Sequence, residues 1–165
     1  MKKKLRKLMS RICFYTFRTN KFVSELEGLF GEKIFVIEKP AKDFAKLKAA
    51  ILESGAEQVV GVGMVKGESR WEKFCYNRIG KNVINSDSPE RLSLARLVRA
   101  IPDGARKMGY SGRAGINSSL NSSLYGISVG EGMSFGFCNY VAFRIKTELS
   151  SKLKSGFLHL NAKDL

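Results

Sequence analysis

The chain has 165 residues, of which 44% are hydrophobic, and its 29 Lys and Arg against 15 Asp and Glu give a formal net charge of +14. This length supports one substantial hydrophobic core, so we expect a single domain over residues 1–165, and no apolar run approaches the roughly 18 residues of a membrane-spanning helix. Its three cysteines show no CxxC spacing, which argues against a disulfide framework and a zinc site and favours a reducing cytoplasm.

Predicted strands and helices alternate along the chain as an open, mostly parallel sheet requires, and they predict a three-layer α/β/α fold with helices on both faces. A basic arm, residues 1–11, precedes the first strand, and region 110–136, rich in turn-forming residues, is expected to form a long loop. The predicted strands are Ile12–Phe17, Lys33–Glu38, Gln58–Met64, Lys73–Tyr76 and Gly156–Leu160, and the predicted helices are Asp43–Glu53, ended by Gly55, Glu90–Ala100 and Cys138–Lys152.

The last predicted helix and strand carry the residues with the clearest chemistry. Cys138 opens the helix, where free N–H groups and the helix dipole favour a thiolate. The single histidine, His159, lies near the end of the strand in the run Gly156-Phe157-Leu158-His159-Leu160. A cysteine needs a base to become a good nucleophile, and this chain has one imidazole.

These segments resemble the pyroglutamyl peptidase I family of cysteine peptidases, in which a Cys-Asn pair opens a helix and a histidine ends a strand. The glycines Gly61 and Gly63, followed by Glu72-Lys73-Phe74-Cys75-Tyr76-Asn77, are similar to the family's glycine turn and its Glu-Arg-x-Ala-x-Asn segment. The resemblance covers residues 57–84 and 133–161. It implies a Glu, Cys, His triad on an open α/β fold.

The resemblance implies removal of an N-terminal pyroglutamyl residue by acyl transfer to Cys138, with His159 as the base and Glu72 as its partner. The backbone N–H groups of Phe137 and Cys138 would bind the oxyanion, and Phe14 and Phe17 would pack against the pyrrolidone ring. No metal or organic cofactor is implied. The expected partners are a blocked peptide, further copies of the same chain and, weakly, nucleic acid.

Other interpretations of the sequence stay open. The family's Gly-Phe-x-Pro-Phe loop is reduced here to segment 14–20, without its proline or glycines, so an inactive scaffold of the same fold is one alternative. Glu68 and Glu131 compete with Glu72 as the acidic residue. Gly126-Ile127-Ser128-Val129-Gly130 matches the G-x-S-x-G elbow of serine hydrolases, with Ser128 as the nucleophile.

Two further alternatives involve nucleotides and nucleic acid. The glycines Gly61, Gly63 and Gly67 partly match a dinucleotide-binding turn. The basic residues are interpreted first as a source of solubility and as a solvated helix face. The alternative is an anion-binding surface for RNA, DNA or acidic lipid, as in a nucleic-acid-associated protein, although no known reading module accompanies these residues.

Overall fold

The structure, a computed structural model, describes residues 12–30, 34–67, 69–95, 97, 128–130 (backbone only), 134–149 and 153–162. Three helices are described: α1 (Val23–Phe30), α2 (Pro40–Glu53) and α3 (Phe137–Leu149). The strands are β1 (Ile12–Phe17), β2 (Phe35–Ile37), β3 (Gln58–Val65), β4 (Arg70–Glu72), β5 (Phe74–Tyr76), β6 (Arg78–Ile79), β7 (Asn82–Val83), β8 (Arg91–Ser93), β9 (Ser128–Gly130) and β10 (Lys154–Asn161).

Six of these strands form one sheet in the order β2-β1-β3-β10-β4-β9. Strands β2, β1, β3 and β10 are parallel, and β4 runs antiparallel to β10. Two small antiparallel pairs, β5 with β8 and β6 with β7, lie outside this sheet. The mixed, mostly parallel sheet confirms the predicted fold class.

Side chains of the central strands alternate between two hydrophobic clusters, one on each face of the sheet. On one face, Phe14 and Leu158 pack with Leu26 and Phe30 of α1. On the opposite face, Tyr15 and Phe157 pack with residues of α2 and α3. Helices therefore cover both faces, as the three-layer prediction requires.

Residues in and just before the first turn of α2 stabilise that turn. Pro40 occupies the first helical position, where the missing N–H costs nothing. The Asp43 carboxylate accepts hydrogen bonds from the backbone N–H groups of Lys39 (2.8 Å) and Glu38 (2.9 Å). Both hydrogen bonds lower the pKa of Asp43, and the bond from Lys39 has the larger effect. Gly55, at φ +62°, follows the helix end as predicted.

Most predicted elements are confirmed, with shifted ends. The predicted helix Glu90–Ala100 is wrong at its start, because Arg91–Ser93 is a strand. The arginine spacing suggested a helix, but Leu92 pairs with Cys75 while Arg91 and Ser93 are exposed, which is the alternation of a strand. The arm 1–11 and most of the loop 110–136 lie outside the described residues.

The helix α1 and strands β4, β6, β7 and β9 were not predicted, and β5 pairs with β8 rather than joining the main sheet. Helix α1 has buried residues at helical spacing, Val23, Leu26 and Phe30. None of the helices in the described part of the chain is long and apolar enough to cross a membrane.

Two glycine substitutions test the packing of the sheet. We expect Gly61→Ala to lower the free energy of unfolding by about 1–3 kcal/mol, because the added methyl group would overlap the rings of Phe157 and Tyr15. Gly28→Ala, in α1 with open space around it, should instead raise the free energy by about 0.5–1 kcal/mol. Urea unfolding of both variants measures the difference. Equal effects would contradict the close packing at Gly61.

Candidate active site

A buried acid–histidine pair lies on the face of the sheet that α3 covers. Strands β4 and β10 pair so that Arg70 lies opposite His159 and Trp71 lies opposite Leu158. Glu72, two residues from Arg70, is therefore on the same face as His159. The Glu72 carboxylate oxygen Oε1 is 2.6 Å from His159 Nδ1. Because an ionised carboxylate only accepts hydrogen bonds, Nδ1 carries the hydrogen and Nε2 is left as the basic nitrogen.

Arg70 binds the same carboxylate oxygen. Its Nε donates to Glu72 Oε1 at 2.7 Å, so one oxygen accepts hydrogen bonds from both the guanidinium and the imidazole. The Glu72 side chain is fully buried, at 0% exposed, and its second oxygen, Oε2, has no hydrogen-bond partner within the described ranges. Among the described residues, the hydrogen bonds that stabilise this buried carboxylate thus come from Arg70 and His159, both at Oε1.

The histidine ring packs closely against residues of β3 and β10. Phe157 lies with its ring centroid 4.9 Å from that of His159. Gly63 of β3 is the partner of His159 in the parallel pairing, and a Cβ at this position would be 3.1 Å from Nε2. A side chain at position 63 would press on the basic nitrogen, so the close approach of the ring favours glycine here.

Cys138 is the second residue of α3, and its neighbour Asn139 fixes the start of that helix. The Asn139 side chain accepts a hydrogen bond from Tyr76 N (2.6 Å) and donates to the carbonyls of Tyr76 (2.9 Å) and Arg78 (2.7 Å). Asn139 is completely buried. These three bonds tie the helix start to the chain segment that follows Glu72, and so position Cys138 relative to the acid–histidine pair.

The Cys138 thiol is half-buried against the core. Burial, together with a smaller effect of the nearby charge of Glu72, raises its pKa from the ordinary value of 9.0 to about 12. The thiolate expected from the helix dipole is therefore outweighed by desolvation. With this raised pKa the thiol is neutral at rest and needs a base to react. Among the residues that the structure describes, no hydrogen bond joins Cys138 to His159.

The pKa values of the other two cysteines are raised into the same range as that of Cys138. Burial raises the pKa of Cys75 to about 12 and that of Cys13 to about 11. Cys75 is 0% exposed and Cys13 packs on the same cluster, as small hydrophobic residues. All three cysteines are free. In the described ranges, no group of three His, Cys, Asp or Glu side chains could hold a metal ion.

The predicted oxyanion and substrate residues occupy different settings. Phe137 and Cys138 begin α3, where backbone N–H groups lack acceptors within the helix. Phe14 and Phe17, by contrast, are buried in separate clusters on opposite faces of β1, and Phe14 packs on Phe30. The two rings therefore do not line one pocket together.

In the described part of the chain, the elements that two alternative sites require are not present. The serine-hydrolase elbow requires a serine on a sharp turn after a strand, but Ser128 begins β9. The dinucleotide turn requires a helix after its glycines, whereas Gly61 and Gly63 lie inside β3 and β4 follows Gly67. Glu68 and Glu131, the competitors of Glu72, lie outside the described residues.

Arg70, Asn139 and Gly63 were not predicted as site residues. The sequence could have indicated Arg70, because this residue stands two positions before Glu72. If the segment forms a strand, the two side chains share one face. Asn139 directly follows the cysteine, and its amide offers both donors and an acceptor. The role of Gly63 depends on the strand register, which the sequence alone does not provide.

The chain is thus an α/β protein whose sheet carries a buried acid–histidine pair near a cysteine at a helix start. Its fold is that of the pyrrolidone carboxyl peptidases. It is similar to the enzyme from Thermococcus litoralis (TM-score 0.62, 17% identity, 91% of this chain and 76% of that chain) and to the one from Thermus thermophilus (0.61, 14%, 91% and 84%). Pyroglutamyl peptidase I from Bacillus amyloliquefaciens aligns similarly (0.60, 12%, 91% and 79%). No protein-family model and no curated protein sequence matches the chain.

Alkylation of the cysteines tests whether His159 serves Cys138. With iodoacetamide at neutral pH, we expect Cys138 to react several-fold faster in the wild type than in His159→Gln, because a thiol with a pKa of about 12 needs the imidazole to remove its proton. In that variant the rate should rise about tenfold per pH unit, as the thiolate fraction does.

Cys13 is the internal control and should react at the same rate in both proteins. Peptide mapping by mass spectrometry separates the cysteines. An unchanged rate at Cys138 in His159→Gln would show that the two residues do not act together.

Proposed function

We propose that this chain is a cysteine peptidase that removes N-terminal pyroglutamyl residues from peptides by acyl transfer to Cys138. The observation that carries the proposal is the 2.6 Å contact between the buried Glu72 carboxylate and His159. This pair lies on the face of the sheet that α3 covers, and Cys138 is in the first turn of α3. Similarity in fold to the pyrrolidone carboxyl peptidases supports this substrate class. The free cysteines support a cytoplasmic setting.

The first half of the reaction forms a thioester. His159 Nε2 takes the proton from Cys138 Sγ as the sulfur attacks the amide carbonyl after the pyroglutamyl residue. The resulting imidazolium is stabilised by Glu72, which stays ionised. The C–N bond then breaks, and His159 returns its proton to the leaving amine.

The second half releases the pyroglutamate. A water molecule loses a proton to His159 and attacks the thioester, and the Cys138 sulfur leaves with that proton. In both halves the negative carbonyl oxygen would accept hydrogen bonds from the N–H groups of Phe137 and Cys138 at the start of α3. The scheme uses groups of the chain, the substrate and one water molecule.

A chromogenic or fluorogenic substrate tests the proposed reaction. We expect the wild type to hydrolyse a pyroglutamyl-coumarin amide, Cys138→Ala to lose this activity, and Glu72→Gln to lose about a hundredfold or more in kcat, because the imidazolium loses its countercharge. Cys13→Ala is the matched control and should retain activity.

Full turnover in Cys138→Ala would contradict the proposed nucleophile. A wild type that is inactive although His159 accelerates alkylation of Cys138 would favour the alternative of an inactive scaffold, or of another amide substrate.

Nucleic acid is a second partner class to consider, because cations lie on aromatic rings at the surface. Arg91 lies 4.4 Å from the ring centroid of Phe74, and Arg78 lies 5.8 Å from that of Phe135. Within the described part of the chain, neither arginine has a carboxylate partner. Such pairs suit stacking with bases, but they do not form a sequence-reading module.

We expect only weak binding of nucleic acid. Binding of a labelled single-stranded DNA, followed by fluorescence anisotropy, should disappear near about 150 mM salt, because phosphate contacts depend on counterion release. Submicromolar affinity at that salt, lost when Met1–Lys7 is deleted, would instead make nucleic acid a physiological partner.

Self-association of the chain stays a prediction, which sedimentation of the same samples would examine.

A further inference from the structure

Arg70 is a cation placed on the carboxylate that serves the histidine. Its Nε is 2.7 Å from Glu72 Oε1, while His159 Nδ1 is 2.6 Å from the same atom. The Arg70 side chain is 29% exposed, whereas those of Glu72 and His159 are 0% and 10% exposed. The guanidinium therefore reaches from the surface to a buried carboxylate.

A buried carboxylate needs a countercharge, because an isolated charge in the protein interior is strongly disfavoured. Both described hydrogen bonds to the Glu72 carboxylate are made at Oε1. Among the described residues, two groups bonded to this oxygen can supply positive charge: the guanidinium of Arg70, which is always charged, and His159, which is charged only when protonated. If Arg70 were neutral or absent, the carboxylate would draw a proton onto His159.

We propose that Arg70 is a positioning residue that neutralises Glu72 and thereby keeps His159 uncharged at rest, with its proton on Nδ1 and Nε2 free. The catalytic meaning of this arrangement rests on the proposed function, since a free Nε2 is what a general base for Cys138 requires. The charge effect itself does not depend on any reaction.

The strands determine this arrangement. Arg70 and Glu72 are two residues apart on β4, and Arg70 is the direct partner of His159 on β10, so all three share one face. Within the described ranges, the charged groups that pair with or contact the imidazole are Arg70 and Glu72 from β4. The Cys138 thiol of α3 is close enough for the charge of Glu72 to raise its pKa. Strand β3 contributes Gly63, which carries no charge.

The single histidine makes the test direct, because its ring Cε1–H signal in an NMR spectrum needs no assignment. We expect Arg70→Met to raise the midpoint of the His159 titration by about one pH unit or more, because Glu72 is then uncompensated. Arg70→Lys keeps the charge and should leave the midpoint close to that of the wild type. Glu72→Gln should lower it.

A midpoint unchanged in folded Arg70→Met would overturn the proposal. If Arg70→Met does not fold, the double variant Arg70→Met with Glu72→Gln, which lacks both charges, should recover the fold. A double variant that also fails to fold would overturn the proposal, because removal of the buried charge would then bring no relief.

The pH dependence of kcat provides a second reading where turnover is present. Its acidic limb should move to higher pH in Arg70→Met but not in Arg70→Lys, because the base is then protonated over a wider range. A wild type without peptidase activity would contradict the proposed function alone, since the NMR titration needs no substrate.

Discussion

The pairing of β3 with β10 is the constraint on which the site depends. Eight consecutive residue pairs, from Gln58 with Lys154 to Val65 with Asn161, join the two strands in one parallel register. This register places the rings of Phe157 and His159 beside Gly61 and Gly63, where a side chain would overlap them. A slip of one residue would move His159 to the α1 face, away from α3. Sheet packing and site geometry thus have the same origin.

Cys138 is positioned by hydrogen bonds of its neighbour Asn139, and its pKa reflects the opposing effects of the helix start and of burial. Asn139 joins the start of α3 to the strand segment that follows Glu72, through three hydrogen bonds from one buried amide. The helix start favours a thiolate, but burial disfavours it more, and the pKa of Cys138 is raised to about 12. A resting thiol of this kind is protected from oxidation and other unwanted reactions, and depends on a neighbouring base for activation.

Sequence reasoning located the elements with strong periodicity and the residues with rare chemistry. Strand β1 was predicted over its observed range, and Cys138, His159 and Glu72 stand out because the chain has three cysteines, one histidine and a motif that connects them. Contacts between strands could not be predicted from the sequence. Arg70 lies opposite His159 because β4 and β10 pair in antiparallel orientation, and β4 has only three residues. The helix expected at Glu90 fails for a related reason, since Leu92 is drawn into a strand by its partner Cys75.

Strand β4 shows how a site can contain a buried charge without loss of the fold. Trp71, 1% exposed, packs into the cluster under α1, while its two neighbours point to the opposite face. Burial of so large a side chain contributes about 1.5–3 kcal/mol, and it holds the register that brings Arg70 and Glu72 to His159. The tryptophan thus anchors the strand from one side, while the ion pair on the other side compensates the carboxylate. Because the two faces of a strand are fixed together, the apolar contact determines which polar groups meet at the site.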